Sequence, residues 1–104
     1  MVSEYQIYCD YKKALNKATE IEEISRKIRM MAEYEVRNEN YILNNCWNGP
    51  GKDAFGKKLV YTADELQVIY SNLNKIADTI RIIAQKNYES ELKALKIAKD
   101  RSYR

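Results

Sequence analysis

All three glycines and the only proline of this chain lie between Gly49 and Gly56. Glycine and proline are the strongest local breakers of regular structure. Confined to eight consecutive positions of a 104-residue chain, they leave a long segment on either side in which nothing stops a helix. An all-β fold is excluded, because it needs turn residues about every ten positions. The length points to one domain. With 45% hydrophobic and 32% charged residues, the composition is globular or coiled-coil rather than disordered.

The first segment carries apolar residues at heptad spacing. Ile7, Ala14, Ile21, Ile28 and Ile42 are separated by multiples of seven, and Glu35 interrupts the row. Tyr11, Ala18, Ser25 and Ala32 form a companion row four residues on, and Tyr8, Leu15, Ile24 and Met31 widen the stripe. The strict period of seven predicts a helix with gentle left-handed supercoiling. Lys12, Lys13, Lys17, Glu20, Glu23, Lys27 and Glu33 mostly fall away from the first row and are expected in solvent. In the second segment Leu59, Leu66, Leu73 and Ile80 are seven apart. Ile69, Ile76 and Ile83 flank them on one side, and Ala63, Tyr70, Ala77 and Ala84 on the other. The alanines would let a neighbouring helix approach closely. The spacing predicts helix one over about 3–45, a turn over 46–51 and helix two over about 52–95. The pattern weakens after Asn87, so residues 96–104 read as a fraying basic tail.

A short break between two long helices gives an antiparallel hairpin. Each arm would be roughly 55–65 Å long at 1.5 Å per residue. Its interface is expected to use Ile7, Tyr11, Ala14, Ile21 and Ile28 on one arm, and Leu59, Leu66, Leu73, Ala77 and Ile80 on the other. The stripes are broader than one partner helix requires, and surplus apolar surface calls for a partner. Two hairpins would pair into a four-helix bundle dimer. These side chains are read as packing, and no cofactor is inferred from them.

The function classes narrow from what is missing. The chain has no His, which removes the commonest general base and the commonest metal ligand. A Ser-His-Asp or Cys-His hydrolase is excluded, and Glu20, Glu22 and Glu23 read as a solvated face. No enzyme is expected, and no metal: Cys9 and Cys46 form no CxxC pair. They are read as free thiols. About 37 helical residues would separate them by about 55 Å, too far for an intrachain bridge. In an antiparallel dimer the bend of one chain would lie near the open end of the other, which would bring Cys9 and Cys46 of different chains together. The formal net charge of +3 is a mild excess, weaker than nucleic-acid binding usually shows. Residues 1–13 carry tyrosines and charges where a signal peptide would need an apolar core. No run approaches the roughly 20 apolar residues of a membrane span.

The break reads Cys46-Trp47-Asn48-Gly49-Pro50-Gly51-Lys52-Asp53-Ala54-Phe55. Gly49 is expected to take a positive φ where helix one ends. Pro50 suits the first turn of helix two, and Gly51 would let the backbone pass close to a neighbour. Asp53 would sit against the positive end of the helix dipole. Trp47, the only tryptophan, would fold over the turn or pack on a partner.

Here the chain resembles a family. Trp47-Asn48-Gly49 is similar to the W-x-G motif of the WXG family of small type VII secretion substrates, the early-secreted-antigen-like proteins of Gram-positive bacteria. The length, the Trp-x-Gly in the only break, a long amphipathic helix on each side, and Phe55 eight residues after the Trp agree together. The resemblance implies helical hairpins that pair as homodimers or heterodimers, made in the cytoplasm and secreted without a cleaved signal peptide. The implied partners are another small helical protein, a larger toxin and an FtsK/SpoIIIE-type secretion ATPase. It further implies a Tyr-x-x-x-Asp/Glu export motif after helix two. The nearest candidate is Tyr88 with Glu91, one position short of the pattern, which suits a subunit whose partner carries the full signal. Tyr61-Thr62-Ala63-Asp64-Glu65 has the spacing but lies early in helix two, where a packing tyrosine is expected.

Two other readings compete. One is a cytoplasmic helical adaptor or chaperone for a toxin. The other is a basic helical nucleic-acid binder using Lys93, Lys96, Lys99, Arg101 and Arg104, disfavoured because the nine tyrosines are scattered among acids.

Overall fold

A computed structural model describes residues 3–46 and 49–102. It contains α1 (Glu4–Met30), a π-helical turn (Met31–Val36), α2 (Arg37–Cys46) and α3 (Pro50–Ser102). No described residue lies in a strand. The first three elements follow without a break and form one arm; α3 is the other. The arms pack against each other as an all-α hairpin, as the placement of the breakers predicts.

Local chemistry sets the helix ends. Ser3 caps α1: the Gln6 N–H donates to Ser3 Oγ at 3.1 Å and the Ile7 N–H to the Ser3 carbonyl at 3.1 Å. Pro50 opens α3, where its missing N–H costs nothing. The Lys52 N–H donates to the Gly49 carbonyl at 3.2 Å, and Asp53 lies in the first turn. Gly49 therefore stands as the cap before α3, and the positive φ expected there is not found among the described residues. Pro50 disfavours helical backbone at the residue before it, which suits a cap. The expected fraying tail is also corrected: α3 continues through Ser102. No breaker occurs there, and Lys99 and Arg101 in the last turn complement the negative end of the dipole. A fading apolar pattern reduces burial without ending a helix.

The fold comprises two compact units, Met1–Ile21 with Lys75–Arg104, and Glu22–Asn74. In the first, Ile7, Ala18, Ala77 and Ala84 are buried, and Tyr11 meets Gln85 and Tyr88. In the second, Ser25, Ala32 and Ala63 are buried, and Ser25 meets Tyr70. Both cores are built mainly from small side chains, so the arms come close enough for a serine to reach the opposite backbone. The larger Ile28, Leu59, Leu66, Leu73 and Ile80 line the sides, half-buried. Of the two rows flanking them on α3, the alanine row faces the first arm. Ile69, Ile76 and Ile83 stay exposed.

The π-turn changes the phase of the first arm. Up to Ala32 one row of buried and half-buried positions steps by four and three: Ile7, Tyr11, Ala14, Ala18, Ile21, Ser25, Ile28, Ala32; Cys9, Leu15 and Glu22 are half-buried beside it. Past Glu33, itself half-buried, the row continues at Val36, Asn40 and Leu43, while Glu35 and Ile42 are exposed. The row that joined Ile42 to Ile28 is thereby corrected. A π-turn spends one more residue than an α-turn, so every inward position beyond it arrives one residue late.

Candidate interaction surfaces

The bend belongs to the Glu22–Asn74 unit. Trp47 and Asn48 lie outside the described residues, so the expected plugging role of Trp47 has no geometry attached. Around them, Lys52 Nζ donates to the Asn44 carbonyl at 3.2 Å, satisfying one of the last carbonyls of α2. A Cβ on Gly56 would stand 3.1 Å from Asn40 Oδ1. Among the described residues the close approach expected at Gly51 is thus found at Gly56. Gly49, Phe55 and Cys46 are exposed, and both Cys46 and Cys9 are free thiols.

Tyr88 and Glu91 belong to the other unit. The Tyr88 ring stacks on Tyr11 with centroids 4.5 Å apart and planes at 28°. Tyr11 Oη donates to Gln85 Oε1 at 2.7 Å, and Gln85 Nε2 donates to Glu89 Oε1 at 2.8 Å. Tyr88 is half-buried in this cluster, whereas Glu91 is exposed. Both line a cavity of about 100 Å³ with Ile7 and Asp10. The tyrosine of the candidate motif is thus engaged within the chain.

Tyr61 reverses its expectation. Its place early in helix two predicts a packing tyrosine, yet it is 65% exposed. The reason is its position on α3: Ala63, two residues on, takes the inward place. Its phenol is hydrogen-bonded to Glu65, and the bond and the charge of that carboxylate raise its pKa above the usual 10.0. The Tyr-x-x-x-Glu spacing at Tyr61–Glu65 therefore faces solvent as a connected pair.

Each of the ten expected interface positions is buried or half-buried: Ile7 and Ala77 are buried, and Tyr11, Ala14, Ile21, Ile28, Leu59, Leu66, Leu73 and Ile80 half-buried. Exposed apolar side chains remain on both arms, among them Ile24, Met30, Tyr34 and Tyr41 on the first and Val68, Ile76 and Ile83 on α3. The ion pairs Lys17–Glu20, Arg29–Glu33 and Arg81–Asp78 each join near neighbours along one arm, where such surface pairs contribute little. Among the described residues no group of three His, Cys, Asp or Glu could hold a metal ion, and no helix is long and apolar enough to cross a membrane.

No protein-family model, curated protein or solved structure matches the chain. The surfaces must be read from their own chemistry. Sequence reasoning missed three features: the Ser25–Tyr70 contact, the Asn40–Gly56 approach and the π-turn. Glu35 in an otherwise apolar row was the visible signal of the last.

Proposed function

We propose that the chain is a non-enzymatic interaction protein, a substrate or substrate partner of a Gram-positive type VII secretion system, which works by pairing with a second helical hairpin. The supporting observation is an all-α hairpin whose arms run over Glu4–Cys46 and Pro50–Ser102, with Trp47-Asn48-Gly49 between them in the sequence. Exposed isoleucines on α3 supply the apolar surface that a bundle partner would cover. On this reading the protein is made in the cytoplasm and leaves the cell without a cleaved signal. The bend and the end of α3 are the parts offered to an FtsK/SpoIIIE-type ATPase, alone or beside a larger toxin. Because Tyr88 is engaged by Tyr11, Glu91 is the member of the Tyr88–Glu91 pair that is exposed for recognition.

The test is secretion of a Trp47→Ala variant from a culture with a running system and controlled lysis. The variant should keep its helical circular dichroism and stay inside the cell. Normal release of the folded variant rejects the assignment. A parent protein confined to the cells favours the cytoplasmic adaptor instead.

A further inference from the structure

The π-turn raises a question that the hairpin alone does not answer: why the first arm leaves the heptad register in which it starts. If α1 continued as a plain α-helix past Ala32, the next inward positions would be 35, 39 and 42 rather than 36, 40 and 43. Those positions hold Glu35, Glu39 and Ile42; the observed ones hold Val36, Asn40 and Leu43. The two registers differ by one residue, a rotation of about 100°.

The surroundings distinguish them. Val36 and Asn40 line a cavity of about 50 Å³ with Arg37, Leu59, Ala63 and Asp64. In the plain α register Glu35 would take the place of Val36, bringing a carboxylate toward Asp64. Arg37 rides on the same arm, so its place would pass to Val36 and its charge would turn away. Glu39 would take the place of Asn40, whose Oδ1 already stands 3.1 Å from where a Cβ on Gly56 would lie. Lys52 and Lys57 line the open side of that seat, so a carboxylate there would meet cations, and Glu39 does not forbid the plain register. Glu35 does: seating its carboxylate near Asp64, with Arg37 turned away, against Leu59 and Ala63 is strongly unfavourable. One widened turn removes that acid from the interface; Glu35 is exposed.

We propose that the carboxylate of Glu35 sets the register of α2, and that the π-turn is the one-residue joint through which it does so. The joint fixes the rotational setting of α2 and of the bend it leads into. The inference concerns residues 31–46 and stands apart from the export reading.

The test uses a cysteine-free background (Cys9→Ser, Cys46→Ser) carrying one probe, either Ile42→Cys or Leu43→Cys. Thiol alkylation is timed under native conditions. With Glu35 intact, the thiol at 42 should react several-fold faster than that at 43. With Glu35→Leu, the plain α register no longer seats a carboxylate near Asp64 and the order should invert. Deleting Glu35 instead should keep the original order and the full helical signal, because Ala32, Val36, Asn40 and Leu43 then fall into unbroken heptad steps. An unchanged order in Glu35→Leu overturns the proposal. So does loss of helical signal in either variant, since neither has an unpaired carboxylate to seat.

Discussion

Ser25 donates its hydroxyl hydrogen to the backbone carbonyl of Tyr70 across 2.9 Å, from a side chain only 2% exposed. The acceptor lies inside α3, so its oxygen also serves the helix. The bond is an addition to the helical ladder and satisfies a buried donor. Ser25→Ala removes donor and bond together and leaves no group bare. The expected cost is about 0.5–1.5 kcal/mol. Ser25→Leu must instead push the arms apart, at about 1–3 kcal/mol for overpacking. Urea unfolding should rank the parent above Ser25→Ala and Ser25→Leu last. Equal midpoints for the two variants would show that close approach is not what this position demands.

The Tyr11–Tyr88 pair gives a second ordering. The stacked rings contribute apolar burial and an aromatic pair term, together about 1–3 kcal/mol for half-buried rings. The Tyr11 hydroxyl adds its 2.7 Å bond to Gln85, worth less than about 1 kcal/mol at an exposed site. Tyr88→Ala should therefore lower the melting temperature clearly more than Tyr11→Phe. The reverse order would place the weight on the hydroxyl rather than the rings.

These contacts also show what could be read in advance. Confined breakers and heptad rows name the hairpin, because each row reports a helix face directly. The rows do not say which flank turns inward. Ala77 and Ile76 are neighbours on flanking rows, and the choice between them depends on how near the other arm comes. The π-turn left a single mark, Glu35 in an apolar row, and that mark does not say how the helix answers it. One inserted residue leaves the period intact on either side and changes only its phase. Ile42 still lies a multiple of seven from Ile28 while it points away. Ser25 sat in the predicted companion row, but its acceptor is a backbone atom 45 positions on, which no side-chain pattern records.

Tyr61 and Glu65 carry a pH prediction. The hydrogen bond to the Glu65 carboxylate and its negative charge both favour the protonated phenol, so the folded pKa lies above the ordinary 10.0. A raised folded value means that the folded state holds the proton more tightly. The resulting stabilisation is present below the unfolded pKa and lost as pH rises through the folded one. Glu65→Gln removes the charge, and Tyr61 should then ionise at lower pH. Alkaline absorbance titration of the parent, Glu65→Gln and Tyr61→Phe isolates this residue from the other tyrosines. A Tyr61 titration that Glu65→Gln leaves in place would remove Glu65 as the cause.

Pairing of two hairpins makes the sharpest demand on α3. In the Lys75–Arg104 part of the chain, Ile76 and Ile83 are 48% and 52% exposed, one heptad apart. A charge there costs the isolated hairpin little, because the stem of a lysine can lie along the helix with its head in water. If a second chain covers the row, two lysines would sit in a desolvated contact that cannot accommodate them. Ile76→Lys with Ile83→Lys should keep the helical signal and lower the solution mass, by light scattering, from dimer to monomer. Ala77→Lys is the control. It strikes a fully buried position and should unfold the hairpin itself. A parent that is already monomeric at high concentration would refute self-pairing and leave a different helical protein as the partner. A double-lysine variant that stays dimeric would move the contact off this row, to the exposed side chains of the first arm.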